Sequence, residues 1–472
     1  MSRRIVIVGG GFSGAATAAA LLRRREPGLQ VALIERSGVF GRGVAYSTTR
    51  GEHLLNVAAG KMSALPDDPG HFVTWARAAG HDVGEHDFVP RALYGDYVQA
   101  LLDDAERAAP AGTLERISGE VTAISPRPAG EGRPGPRATP DGERTGALVS
   151  VAGRRLEADA VVLALGVSRP AQPPFAAPVA DHPGYVADPW DAAAIARLQD
   201  ARSVIVLGTG MTMADVALTL GGGPVLTALS RRGELPRAHR IDPAAEVPEP
   251  VVRPRPGLTA DALAAAVERA ASDAGEDWRC VVDSLRPVTA ALWRSLAPRE
   301  QARFARVHAR RWEVHRSRLA PAAAARIAEL RAAGALRVEA AEVRSLAPAD
   351  GGRIACEVEG GRGRSSLAAD AVVNAFRLAA DKRAALQRDS LPTTFKGSLL
   401  GKIFFWIFIV ALVLMLFRCG SGGGPGDCSE TRNTFGDASQ EYQNCLAGQR
   451  SGGGYRSGGG SFGGFSSGGG HK

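Results

Sequence analysis

The stretch "RRIVIVGGGFSGAATAAALLRRR", residues 3–25, decides how the rest of the chain is read. Residues 5–8 are a short run with no polar side chain, the pattern of a strand buried on both faces. Glycines follow at once, and then a segment built from strong helix formers. "LQVALIER", residues 29–36, is a second strand. Gly9, Gly11 and Gly14 thus form G-x-G-x-x-G at a strand-to-helix junction. Gly9 permits the tight turn, and Gly11 lets the backbone approach a pyrophosphate seated at the positive helix end. Gly14 lets the helix pack close to the sheet. Ser13, inside the motif, is counted with them. Glu35 ends the second strand, where an acid suits a ribose hydroxyl pair.

A second unit repeats the pattern as "SVIVLGTG" (203–210), "MTMADVALTLG" (211–221) and "PVLTALSRRG" (224–233). Gly208 and Gly210 keep the turn. Met213 replaces the third glycine and holds the helix further off. Arg231 and Arg232 stand where the first unit carries Glu35, and arginine there suits the 2′-phosphate of NADP better than the ribose of NAD. The competing expectation is that they face solvent.

Between and after these units the pattern alternates. A Pro/Gly/charge-rich loop spans 126–146, and strands "ALVSVAG" and "ADAVVLALG" follow it. The second of these ends at Gly166, where a backbone can turn tightly against a ligand. A near copy, "ADAVVNAFR" at 369–377, ends in Phe376-Arg377 instead. Residues 259–335 read as helical, and short strands return from 336. The arginine-rich stretch 299–318 reads as a solvated helix face anchored by Trp312, with phosphate contact as the alternative.

Composition narrows the function. The chain has 472 residues, 45% hydrophobic and 22% charged, enough for two or three domains. Lys61 is the one lysine before residue 376, and the other four lie after it. Residues 376–472 hold 11 basic and 6 acidic side chains, while the preceding 375 hold 46 and 43, so the globular part is nearly balanced. Balanced charge argues against nucleic-acid binding. Cys280 and Cys356 are isolated and no C-x-x-C occurs, which leaves no dithiol centre and no cysteine zinc site. No Ser-His-Asp set, metal-ligand cluster or carboxylate pair stands out, so no catalytic side chain is assigned.

On these motifs, with "GRGVAYSTTRGEHLLNVAAGKMSALPDDPGHFVTWA", "FVPRALYGDYVQALL" and "LSRRGELPRAH", residues 1–375 resemble bacterial FAD/NAD(P)-binding proteins of the two-dinucleotide-domain flavoprotein class. The resemblance implies that Gly9, Gly11, Gly14 and Glu35 hold the adenosine diphosphate half of FAD. It places "GRGVAYS" and "LLNVAAGKMS" along the flavin, with Arg42, Asn56 and Met62 as neighbours. It implies NADPH-driven, monooxygenase-like oxidation of a small molecule. In that class the strand resembling "ADAVVNA" continues into Thr-Gly, and a further segment covers the flavin. Here neither follows, so weak flavin retention and impaired activity are expected. The alternative is a non-catalytic nucleotide-binding body fused to a membrane-anchored interaction tail.

The expected organisation is α/β. Residues 1–169 form a Rossmann-like FAD part, and 170–335 an inserted NAD(P)-binding Rossmann-like unit with a helical segment. Residues 336–375 are expected to return to the first sheet, cut short. A linker (376–398), a transmembrane helix (399–417) and a disordered Gly/Ser-rich tail (418–472) complete the chain. Nineteen helical residues rise about 28 Å, close to a bilayer's hydrocarbon thickness. Arg388, Lys396 and Lys402 precede the span and only Arg418 follows closely. That bias puts the body in the cytoplasm and the tail outside.

Overall fold

The structure is a computed structural model, and it describes residues 3–127, 146–166, 170, 172–240, 249–361 and 363–376. The first module contains β1 (Arg3–Val8), β2 (Leu29–Glu35), β3 (Leu114–Ser118), β4 (Val121–Pro126), β5 (Ala147–Val151), β6 (Arg154–Ala158) and β7 (Ala160–Leu163). Four of these make a parallel sheet in the order β3-β2-β1-β7, and β4-β5-β6 form a separate antiparallel meander. Strand alternation explains how the sheet acquires two apolar faces. Ile5, Ile7 and Leu33 pack with Ala15, Ala18 and Leu22 of the helix Phe12–Arg23 and with Leu102 of the helix Arg91–Ala108. Val6, Val8, Ala32 and Ile34 point the other way, onto Val149, Val151 and Leu156 of the meander.

The second module contains β8 (Tyr185–Val186), β9 (Ser203–Leu207), β10 (Val225–Ser230), β11 (Leu336–Ala349), β12 (Arg353–Gly360), β13 (Gly363–Ala369) and β14 (Ala371–Asn374). Its sheet runs β13-β12-β11-β10-β9-β14-β8. The start of β11 pairs parallel with β10, and its remainder pairs antiparallel with β12. The β11-β12-β13 meander therefore lies over the parallel strands, with Leu346, Ile354, Cys356 and Val358 against Ile205, Leu207, Leu229 and Val372. The module repeats the plan of the first: strand, turn, helix, strand, a covering meander, and a last strand beside the opening one.

The expected return of 336–375 to the first sheet is corrected by this topology. β14 pairs with β9 through Ala371↔Val204 to Asn374↔Leu207, as β7 pairs with β1 through Ile5↔Ala160 to Val8↔Leu163. The aspartate before each strand fixes the match. Asp159 Oδ2 accepts the Arg4 amide at 2.7 Å, and Asp370 Oδ2 accepts the Arg202 and Ser203 amides at 2.8 and 3.0 Å. Each "ADAVV" is thus the closing strand of its own module. Among the described residues, the two units follow one another and the second is not inserted within the sheet of the first.

The helical segment forms as expected, from Ala260 to Ala332, but the arginine-rich stretch breaks at His308 into helices Pro298–Val307 and Ala309–Arg316. Trp312 packs against Leu258, Leu263 and Leu292. Among the described residues no helix is long and apolar enough to cross a membrane. The run 399–417, residues 377–398 of the linker before it and the tail after it lie outside them.

Candidate functional site

At the first turn Gly9 has φ +101°, and a Cβ there would lie 2.3 Å from the Ala164 carbonyl oxygen. A Cβ at Gly14 would lie 1.8 Å from the Gly9 carbonyl oxygen, so only glycine lets the helix sit this close. Gly11 is the N-cap residue of the helix Phe12–Arg23, and no side chain caps that end. The first-turn amides, Ser13 included, present the positive helix end to an anion. Glu35 stands over the turn. Its Oε2 accepts the Gly10 amide at 2.8 Å, and its Oε1 accepts the Ser37 amide and hydroxyl at 3.1 and 3.0 Å. Gly166, with φ +64°, lies two residues past Ala164. These groups fit a dinucleotide diphosphate with its ribose.

The three residues placed along the flavin are engaged differently. The Arg42 guanidinium turns back to the helix Arg91–Ala108, bonding Gln99 Oε1 at 2.8 Å and Asp96. The neighbouring Gly43 does reach the turn, its Cα 3.2 Å from where a Gly11 Cβ would be. Met62 is buried in the first core among Phe72 and Tyr97. Asn56 offers its carbonyl to His239 Nε2 at 2.9 Å, a bond between modules.

The second turn is looser. Gly208 has φ +115°, and a Cβ there would meet the Ala375 carbonyl oxygen at 3.1 Å. Met213, at the position of Gly14, is fully buried in the second core. Gly210 is the N-cap residue of the helix Met211–Leu220, again with no side-chain cap. Strand register corrects one equivalence. Leu229 pairs with Leu207 as Ile34 pairs with Val8, so Ser230, not an arginine, occupies Glu35's position. Arg231 and Arg232 follow one and two residues later, both exposed. The Ser230 hydroxyl lies 2.9 Å from the Thr209 hydroxyl and accepts the Gly233 amide at 3.0 Å. A small neutral residue there leaves room for a 2′-phosphate that a carboxylate would repel.

Sequence reasoning missed three residues here. Arg310 Nη2 donates to the Glu234 carbonyl at 2.8 Å and to the Thr209 hydroxyl at 3.2 Å. Glu234 also carries a buried carboxylate oxygen, Oε2, with no donor among the described residues. A buried acceptor without a donor is what a nucleotide hydroxyl or amide would satisfy. Counting strand register from Gly208 would have found Ser230. No local signal marks Arg310, which is 101 residues from Thr209.

The modules meet through polar groups. Arg91 donates from both Nη atoms to the Asp215 carboxylate, at 2.8 and 3.0 Å. His53 Nε2 lies 2.9 Å from Thr219 Oγ1. His239, against Phe88 and bonded to Asn56, is pushed down to about 4 by burial and then by the nearby Arg318 cation. Cys356 is buried in the second core, and burial pushes its thiol up to about 12.

Residues 6–168 match the model of a family described as FAD-NAD(P)-binding. Comparison with curated protein sequences finds no match. Among solved structures the chain is similar to ornithine hydroxylase from Pseudomonas aeruginosa, with TM-score 0.53, 14% identity and coverage of 81% of this chain and 84% of that one. It is similar to an FAD-bound cadaverine monooxygenase from Erwinia amylovora, with TM-score 0.50, 14% identity and 82% of each chain covered. L-lysine 6-monooxygenase from Pseudomonas syringae gives TM-score 0.50 and 15% identity, covering 79% of this chain and 80% of that one. At these identities the likeness is one of fold: two dinucleotide-type modules in one chain.

Proposed function

We propose that this chain is an FAD-dependent oxidoreductase that draws electrons from NADPH and oxidises a small molecule in the manner of a monooxygenase. The observation that carries this is the pair of glycine turns. Each opens a helix with no side-chain cap, each is backed by the carbonyl of the alanine just past its closing strand, and each belongs to its own module. The FAD-NAD(P)-binding family match over 6–168 supports assigning FAD to the first turn. Ser230 and Arg231 support NADPH at the second. Structures of similar fold named for ornithine, cadaverine and lysine oxidation support a small-molecule substrate.

The cofactors would supply hydride transfer from nicotinamide to flavin and electron delivery onward. The chain's own task is to grip and orient them. Gly9, Gly11, Ser13 and Gly14 bind one diphosphate and Glu35 its ribose. Gly208 and Gly210 bind the other, with Arg231 on the 2′-phosphate. The grip on the flavin ring is weaker. The Arg42 guanidinium is taken up by Gln99 and Asp96 and Met62 by the core, while Leu163 and Leu165 near Gly166 stay 51% and 47% exposed among the described residues. An open site admits water and favours uncoupled oxidation.

The test is reconstitution of the full chain with FAD, followed by its absorbance spectrum and NADPH oxidation. A flavin spectrum at partial occupancy with slow NADPH oxidation is expected. NADP+ binding without any FAD uptake would return the non-catalytic alternative. From the sequence we also infer membrane attachment through 399–417, with the body cytoplasmic and the tail outside. Deleting 396–418 should then release the protein into the soluble fraction.

A further inference from the structure

The arginine-rich helical segment contributes one side chain to the second glycine turn. Arg310 sits in the helix Ala309–Arg316, far along the chain from the β9-to-helix junction. Its Nη2 donates to the Glu234 carbonyl at 2.8 Å, to the Thr209 hydroxyl at 3.2 Å and to the Thr209 carbonyl at 3.4 Å. Its Nη1 lies 3.8 Å from the point where a Gly210 Cβ would project. One edge of the guanidinium is thus tied to the turn while the other borders the open space above Gly210. Thr209 is 2% exposed, and its hydroxyl also donates to the Glu234 carbonyl at 2.6 Å, so the anchor is rigid.

We propose that Arg310 is a cofactor-positioning residue that contacts the diphosphate of NADPH, an assignment that rests on the nucleotide role proposed for this turn. Three physical points carry it. A planar guanidinium is suited to phosphate oxygens, and a charge-assisted bond is roughly twice as strong as a neutral one. Its position reinforces the positive end of the helix Met211–Leu220. Its orientation is already fixed by three acceptors, so little side-chain entropy is lost when a ligand arrives. The first turn obtains its tightness from Gly14. The second, with Met213 in place of that glycine, obtains a cation from the helical segment instead. That also gives the segment a task in cofactor binding: NADPH would tie it to the second sheet.

The experiment compares wild type with Arg310→Ala and Arg310→Lys in the full chain. Calorimetry would measure affinity for NADP+ and for adenosine 2′-monophosphate, which carries the 2′-phosphate without the diphosphate. Arg310→Ala should weaken NADP+ by about 10- to 100-fold, the value of one charge-assisted contact. Adenosine 2′-monophosphate should change less than about twofold. The salt dependence of NADP+ binding should flatten. Arg310→Lys keeps the charge and the helix but loses the anchored fork, and should give an intermediate loss even if the alanine variant folds poorly. Unchanged NADP+ affinity in both variants, with wild type binding NADP+, would overturn the role of Arg310 and leave the nucleotide assignment standing. Equal weakening of both ligands would also overturn it, because a distorted turn acts on both. Failure of wild type to bind either ligand would remove the nucleotide assignment, and this role with it.

Discussion

Arg91 and Asp215 form a bidentate ion pair, at 2.8 and 3.0 Å, that joins the two modules through side chains with only 10% and 8% of their surface exposed. Asp215 lies on the helix that opens at the second glycine turn, and Arg91 opens the long helix packed beside the first. The pair fixes one nucleotide module against the other.

Breaking that pair should be costly, since removing one partner leaves an uncompensated buried charge. Arg91→Ala or Asp215→Asn should each destabilise the protein by about 3–5 kcal/mol in urea unfolding. The double variant Arg91→Met with Asp215→Leu should recover most of the loss, because both charges leave together. Additive losses in the double variant would show that the two residues act separately.

The two turns should respond differently to an added methyl group. Gly14→Ala places a Cβ 1.8 Å from the Gly9 carbonyl oxygen, so the helix must move and FAD uptake should be lost, with about 2–4 kcal/mol of stability. Gly210→Ala meets only Arg310, at 3.8 Å. Its stability should change by no more than about 0.5 kcal/mol, while NADP+ affinity falls by about tenfold because the phosphate approach is blocked. Thermal melting with and without each cofactor separates the two cases.

Nucleotide preference should reside at the end of β10. Arg231→Ala should weaken NADP+ by about tenfold and leave NAD+ nearly unchanged. Ser230→Asp restores an acid at the register position of Glu35 and should invert the preference toward NAD+. A matched loss for both nucleotides in Arg231→Ala would mean that it contacts no 2′-phosphate.

His239 gives the protein a pH dependence of defined sign. Its pKa falls from 6.5 to about 4, through burial first and then the Arg318 cation. The folded chain holds it neutral while the unfolded chain protonates it below about 6.5. Its contribution to stability is therefore full above about pH 6.5 and is lost as pH falls toward 4. That loss is on the order of 3 kcal/mol. His239→Gln should flatten the stability curve across that window and leave the region above pH 7 unchanged.

Much of the first turn was legible locally. An apolar run, three spaced glycines and a strong helix former lie within residues 3–25, so the strand-to-helix junction needs no distant partner to be recognised. Glu35 is placed by the same short-range count. The copy of "ADAVV" at 369–373 was visible too, but its destination was not. A buried apolar strand carries no mark of which sheet it joins, and the pairing of β14 with β9, together with the Asp370 bonds to the Arg202 and Ser203 amides, reveals it. Arg42 and Met62 show the converse. The resemblance assigned them to a neighbourhood, and packing turned one toward Asp96 and the other into the core.

The sequence by itself determined the two phosphate turns, because backbone conformation and strand periodicity are local properties of a few residues. Tertiary structure alone decided that the described residues form a module followed by its repeat, that Ser230 answers to Glu35, and that Arg310 borders the second turn. Those depend on strand pairing and on side chains about a hundred residues apart. Their energy is gained only when distant segments meet, so nothing in a local stretch encodes the outcome.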